Sequence, residues 1–456
     1  MHKSMHESLF IQFIRAIFPK LSLYVKEKET PQNRTYLYKK MLREVYSADQ
    51  KWEGTSAKTT YVAADIVEMD SPLPLKKRGS IATSNGKLPK IAMKKTLFES
   101  DINSVNIMKA QYENLVTKAN TLQAQGLVEQ AAAAKQAADN AKARIINKLM
   151  NDGVACSVGI DERNELNFLA GLSNGIIAVE DEDNSGKAIR VNYGYLPANS
   201  FRTATNGVTS RDDFEKIFEK ANADGNTIIK VLLAKNQLKK IRKEQWAKEL
   251  VADYEGKTYT EDAKLKTPSE SSFSEAFEDE FGASIETVNR TVVIEKNGKQ
   301  HSVKPWNENN IIFICNEEVG SLVWGTLAES TNPVEGVKYS TVDSYKLISK
   351  YSKNEPSLQE VTSGQALILP VIEDVDQIYM LSTKSEEVDE EAEKTDTSDE
   401  YTTYKGKKYK KTDLISALKA VGANVKSNST DETLVKALNA LSDEDEEALL
   451  SQLTEQ

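Results

Sequence analysis

The sequence predicts an α+β protein that carries a small all-α module at its C-terminal end. Three observations predict this. Residues 100–151 hold a single glycine, Gly126, no proline, and residues of good helix propensity throughout, including the alanine block 131–134. Short apolar blocks with strand-like patterning recur at 175–179, 188–193, 227–234, 287–295, 311–315, 319–327, 366–371 and 377–382. An acidic, apolar-poor stretch, 385–400, then separates this body from a segment with its own leucine periodicity.

The chain has 456 residues, with 69 acidic and 59 basic side chains, for a net charge of −10. No apolar run approaches the roughly 18 residues of a spanning helix, and the most apolar N-terminal stretch, 9–18, is broken by Gln12 and Arg15, which argues against a membrane protein or an export signal. Two cysteines, Cys156 and Cys315, lie far apart among apolar neighbours, as expected of buried thiols in a reducing compartment. Only His2, His6 and His301 supply imidazole, a poor stock for hydrolytic or metal chemistry.

Taken in order, the chain opens with an amphipathic segment, Leu9, Phe10, Phe13, Ile14 and Ile17, which stops at Pro19. Residues 59–69 are strand-like, and prolines and glycines between 72 and 89 rule out a useful helix. Residues 71–98 carry Lys76, Lys77, Arg78, Lys87, Lys90, Lys94 and Lys95 with no acidic residue, a local inversion of charge in an acidic chain. Ser100 is positioned to cap one long helix, bent at Gly126, whose apolar stripe thins through the alanine block. A second short helix is expected at 161–171.

The run EDEDNSGK (180–187) has the composition of a calcium loop, but without the EF-hand order or terminal glutamate it reads as a solvated turn. Ser210, Asp212 and Asp213 predict a helix start, followed by a buried strand and a helix over 235–250. A single strand is expected at 287–295, with a hairpin turn at 296–299. The basic cluster at 235–243 is followed directly by Glu244 and Glu249 and reads as a solvated helix face.

Several blocks resemble, in collinear order, the lambda-like capsid protein E family of tailed-bacteriophage major capsid proteins. YVAADIVEMDSPLPLKKRGSIATSNGKLPKIAMKKTLFESDIN (61–103) is similar to that family's extended loop and the start of its spine helix. NNIIFICNEEVGSLVWGTLAEST (309–331) is similar to its strand, glycine turn and loop, SKNEPSLQEVTSGQALILPVIEDVDQIYMLS (352–382) to its closing segment, and SLFIQFIRAIFPKLS (8–22) to its N-terminal anchor. The resemblance implies the phage major-capsid fold: an N-terminal arm (1–50), an extended loop (51–100), a spine helix with part of a peripheral domain (101–190), and a central axial domain with the remaining peripheral strands (191–384). An acidic flexible linker (385–400) and a helical module (401–456) follow. Two departures stand out, an alanine-rich expansion at 120–144 and the terminal module itself, which resembles helix-extension-helix or SAP-like modules through KKTDLISALKAVGANV (410–425) and KALNALSDEDEEALLSQL (436–453).

The resemblance implies a subunit of an icosahedral shell around double-stranded phage DNA, built from hexamers and pentamers, with no cofactor, no metal, no membrane and no sequence-specific grip on DNA. Scaffold, portal and decoration proteins would be its partners, and virion and host cytoplasm its locations. The seven basic residues of the loop are the candidate inter-subunit contacts. Leu9, Phe10, Phe13, Ile14 and Ile17 form the candidate anchor, and Lys405, Lys407, Lys408, Lys410 and Lys411 candidate phosphate contacts. Alternatives are an encapsulin-like cargo shell and a nucleic-acid-associated protein acting through the terminal module. No nucleophile-base pair, phosphate-binding glycine loop or metal-ligand spacing points to catalysis, although a carboxylate pair from distant strands is not excluded by spacing.

Overall fold

The computed structural model describes residues 5–28, 35–57, 81–179, 189–205, 207–257, 265–296 and 298–384, and, farther on, 401–404, 407–410, 414–415, 417–418, 434–435 and 438–439. It divides into two units, one comprising Met1–Phe201 and Thr209–Ser382, the other Arg202–Val208 and Thr383–Gln456.

In the first unit the arm comprises α1 (Ile11–Ile14), a 3-10 turn at Phe18–Lys20, α2 (Leu21–Lys28) and α3 (Tyr38–Met41), which runs directly into β1 (Leu42–Tyr46). A two-stranded ribbon follows, β2 (Lys51–Ala57) paired antiparallel with β3 (Ile81–Lys87), and then β4 (Lys90–Leu97). Two long helices come next, α4 (Glu99–Ala124) and α5 (Val128–Asn174), then the hairpin β5 (Ile176–Val179) and β6 (Ile189–Asn192).

The chain continues through β7 (Ser200–Arg202), α6 (Arg211–Ala223), β8 (Lys230–Ala234), α7 (Lys235–Ile241), α8 (Gln245–Tyr254), α9 (Glu270–Phe281) and β9 (Ser284–Val288). The hairpin β10 (Val292–Lys296) and β11 (Lys299–Val303) precedes β12 (Asn310–Ile314), β13 (Gly320–Gly325) and α10 (Ala328–Thr331). Last come β14 (Lys338–Val342), β15 (Lys346–Lys353), β16 (Gln359–Ile372) and β17 (Ile378–Ser382).

These strands build two main sheets. One is six-stranded, in the order β1-β13-β16-β15-β14, with β4 also paired to β16, and is antiparallel except for β1 beside β13. The other is five-stranded, β7-β17-β12-β8-β9. A strand turns successive side chains to opposite faces, and β12 uses both: Ile312 and Ile314 enter a core shared with α5 and the six-stranded sheet, while Ile311 and Phe313 enter a second core under α6 to α9. Strand β8 divides likewise, Leu232 one way and Val231 with Leu233 the other. Such central strands read as continuous apolar runs because neither face meets water. Phe214 anchors the second core, stacking edge-on against Phe277 and Phe313.

Several expectations are corrected. The bend expected at Gly126 is a full reversal: its φ of +75° closes a tight turn, and α5 returns antiparallel to α4, so that the Lys148 Nζ donates to the Ser104 hydroxyl at 3.1 Å. The short helix expected at 161–171 is part of the 47-residue α5. Ser100 is not the cap of α4, which starts at Glu99 with no side-chain cap bond. The helix over 235–250 is two helices, and the strand over 287–295 is split between β9 and β10, which lie in different sheets. The capping box forms as read, with Ser210 and Asp213 exchanging side chain-to-backbone bonds at 3.2 and 2.8 Å.

The second unit contains β18 (Tyr401–Tyr404) paired antiparallel with β19 (Lys407–Lys410), so the terminal module is not all-α. Beyond the ribbon, helical turns bury Leu414, Leu418, Leu434 and Leu438 completely. The strand pattern at 59–69, the turn 180–187 and the acidic stretch 385–400 lie outside the described residues.

Candidate functional site

Two parts of the first unit point to function: the segment that leaves the body as a ribbon, and the arm that is fastened onto it. The ribbon β2–β3 runs through seven residue pairs, from Lys51 opposite Lys87 to Ala57 opposite Ile81, and pairs with no other described strand. Its base is fixed by Trp52, which is buried and lies across Gly86; a Cβ at Gly86 would stand 2.7 Å from the indole nitrogen. Tyr193 meets Trp52 edge-on at 6.3 Å, and Leu88 closes the same corner of the core. The indole thus joins the ribbon to the body, while among the described strands β2 and β3 hydrogen-bond only to each other.

The basic residues predicted for this region separate in space. Lys87 is exposed at the end of β3. Lys90, Lys94 and Lys95 are exposed on β4, which is a strand of the six-stranded sheet and not of the ribbon; Lys94 stands opposite Ser363 and Lys95 opposite Thr362 of β16. Lys76, Lys77 and Arg78 lie outside the described residues. In the terminal module Lys407, Lys408 and Lys410 fall on β19, whereas Lys405 and Lys411 are outside the described residues.

Of the predicted anchor, Phe10, Phe13 and Ile14 are buried, Ile17 is half-buried and Leu9 is 40% exposed. Phe18, Leu21 and Val25 complete the apolar contact, packing with Ile102, Val105, Ile145 and Leu149 of the long helices and with Val342 and Ile348 of the sheet. Hydrophobic spacing identified the first half of this contact. It gave no sign of the polar fastening beside it.

That fastening is a set of buried charges. Glu360, on β16, accepts the Leu9 backbone N–H at 3.1 Å and the Ser8 hydroxyl. The Lys350 ammonium, wholly buried, lies 3.8 Å from the Glu360 carboxylate and donates to the Thr362 hydroxyl at 2.8 Å and the Leu149 carbonyl at 3.3 Å. Burial pushes Glu360 above the usual carboxylate range against the pull of Lys350, and pushes Lys350 below the usual ammonium range against the pull of Glu360. At the start of the same strand, β15, Lys346 sits within 2.6 Å of Asp161 on α5 and 2.7 Å of Asp343. Tyr38 of the arm donates to Asp161 at 2.6 Å, and Lys39 reaches it at 3.3 Å. Each cluster therefore ties arm, helix and sheet together.

Replacing Ser8 by alanine removes a hydrogen bond to a charged group, an interaction of about 1.5–3 kcal/mol. The expected result is faster amide exchange at His6 and Leu9, with the rest of the first unit unchanged. Equal exchange in both chains would mean that the Ser8 hydroxyl contributes nothing to holding the arm.

Both cysteine thiols are pushed up to about 12 by burial and so stay protonated at neutral pH. Among the described residues, no group of three His, Cys, Asp or Glu side chains is placed to hold a metal, and no helix is long and apolar enough to cross a membrane.

No protein-family model matches the chain, and no curated protein matches it. Among solved structures, it is similar to a protein assigned as the capsid protein of a prophage of E. coli CFT073, at 10% identity over 80% of this chain and 98% of that one, with a TM-score of 0.45. It is also similar to a chain of the capsid asymmetric unit of cyanophage A-1(L), at 11% identity over 78% and 95% of the two chains and a TM-score of 0.37. A third similarity is to the SrpI encapsulin of Synechococcus elongatus PCC 7942, at 10% identity over 78% and 90% and a TM-score of 0.35.

Proposed function

We propose that this chain is a structural subunit that assembles with copies of itself into a closed shell around double-stranded DNA, as a phage major capsid protein does. The observation that carries this reading is the β2–β3 ribbon, rooted by Trp52 and paired with nothing else described. A lone two-stranded ribbon is marginal in water. A neighbouring subunit that accepts it would supply the missing contacts, and closed symmetry would repeat that modest contact many times over.

The charge distribution supports the same reading. Lys76, Lys77, Arg78, Lys87, Lys90, Lys94 and Lys95 belong to one acid-free stretch of sequence in a chain of net charge −10, and opposite charges steer docking and fix register more than they add affinity. An acidic balance also suits a container that holds DNA without gripping it, since basic linings bind phosphate strongly and in a salt-dependent way. The body would then serve as the wall, the arm and ribbon as its fasteners, and the terminal module as an appendage.

Negative-stain microscopy of the purified full chain tests this directly, with closed particles of uniform size as the expected result. Monomers at every concentration tried would overturn it. Lys94→Glu with Lys95→Glu is expected to slow assembly and flatten its salt dependence, read by light scattering; unchanged kinetics and salt response would remove these lysines from the contact.

A further inference from the structure

The distal part of the α4–α5 hairpin is a helical pair with an unfilled side. Near the body the pair is covered: Phe13 of the arm packs edge-on against Tyr112 at 5.8 Å, and Ile102, Val105, Ile145 and Leu149 are buried. Beyond that point the only buried side chains are alanines, Ala119 on α4 and Ala131, Ala134, Ala138 and Ala141 on α5. Methyl groups make a thin seam, and helical hairpins normally gain most of their stability by burying a broad apolar face against further helices.

Beside this seam runs a groove of about 450 Å3, lined by α4 at 112, 116, 119, 120 and 123 and by α5 at 128, 131, 132, 135, 138 and 139. Steps of three and four residues on both helices are the spacing with which two helices receive others in a bundle. The tip adds exposed apolar surface: Leu127 is 43% exposed and Val128 73%.

We propose that this groove is filled by the same hairpin of a second copy of the chain, arranged antiparallel about a two-fold axis. Two features of the lining favour a copy over another partner. The first is charge. Lys135 and Asp139, the only charged residues in the lining, are exposed, of opposite sign and one turn apart on α5. Antiparallel copies bring Lys135 of each opposite Asp139 of the other, which is the self-complementarity an isologous contact demands. A partner of one charge sign would meet a like charge at one of the two positions.

The second feature is volume. Measured from the turn at Gly126, Tyr112 and Val116 lie toward the body, while Val128 lies toward the tip beside Ala131 and Ala132. Reversing one copy turns the Tyr112 end of each groove toward the alanine seam of the other, where methyl groups leave room for larger side chains. The hairpin contact and the ribbon contact are separate surfaces, and the former requires only a second copy, not a shell.

The test uses the full chain, at concentrations where microscopy shows no particles, and reads self-association by sedimentation equilibrium. The wild type is expected to dimerise. Lys135→Asp and Asp139→Lys each create two like-charge contacts across the axis and are expected to weaken the dimer roughly tenfold or more. The double reversal Lys135→Asp with Asp139→Lys restores opposite charges and is expected to return affinity to near the wild-type value. Because Lys135 and Asp139 also stand four residues apart on one helix, local helix stability would be rescued too, so circular dichroism is read beside association: equal helix content in all four chains is expected, and a loss of association that only follows a loss of helix would overturn the proposal. A monomeric wild type, single variants that associate like the wild type, or a double variant as weak as the singles would each overturn the proposal. Particle formation by the single variants, assayed separately, keeps the shell reading distinct from this one.

Discussion

Replacing Lys346 by methionine should lower the unfolding free energy by about 3–5 kcal/mol, the range for removing one partner of a buried ion pair. Lys346 is wholly buried, and its ammonium serves two carboxylates, one of them, Asp161, also without solvent exposure. Methionine fills similar space but leaves Asp161 with only Tyr38 and Lys39 as polar partners from the arm. The check is urea denaturation of the full chain, followed at the first unit. A second variant, Lys346→Met with Asp161→Leu, removes both charges and should recover roughly half of the loss or more, because the stranded carboxylate is gone. A midpoint unmoved in the single variant would show that water reaches Asp161 and that the pair contributes little.

The same cluster sets a pH dependence. Burial alone would raise Asp343, but Lys346 and Lys39 overcome it and hold the carboxyl below its ordinary value of 3.8. A depressed folded-state value contributes stability that is present above the unfolded value and is lost as pH falls through the folded one. The wild type should therefore lose stability as the pH drops below about 3.8. In Lys346→Met much of that step should disappear.

The second large effect concerns assembly rather than folding. Replacing residues 55–83 by a short glycine-serine turn, with Trp52 and Gly86 kept, should abolish particles while leaving the thermal midpoint of the body nearly unchanged. The removed rungs pair only with each other, whereas Trp52 and Leu88 stay in the core. Light scattering and negative-stain images of the shortened chain beside the wild type give the answer. Particles of normal size from the shortened chain would show that the ribbon is ornament and would remove the main support for a shell.

The sequence disclosed some of this architecture and hid the rest for physical reasons. The capping box at Ser210 and Asp213 was legible because its partners are three residues apart and the interaction is local. Strand β12 was legible because burial on both faces leaves an unbroken apolar run. The reversal at Gly126 was not, since a helical stripe continues with the same period whether the chain bends or doubles back. The split between β9 and β10 falls at 289–291, with neither glycine nor proline to mark it.

The fastening of the arm was the largest omission. Lysine is seldom buried, so nothing in composition singles out Lys346 and Lys350, and their partners Asp161 and Glu360 come from elsewhere in the chain. The apolar anchor was half visible because its spacing is helical, yet the 3-10 turn and α2 behind Pro19 extend it past the apparent stop.

The length of α5 has a mechanical consequence. At 47 residues it is a rod of about 70 Å, clamped at one end between two sheets and free at the other. Stiff over that span, it acts as a cantilever: a small tilt imposed at the overhanging tip must reappear as torque where the rod enters the body, at Ile145 and Leu149 beside the arm. Any load applied to the outlying hairpin would thus be felt first where the arm is fastened.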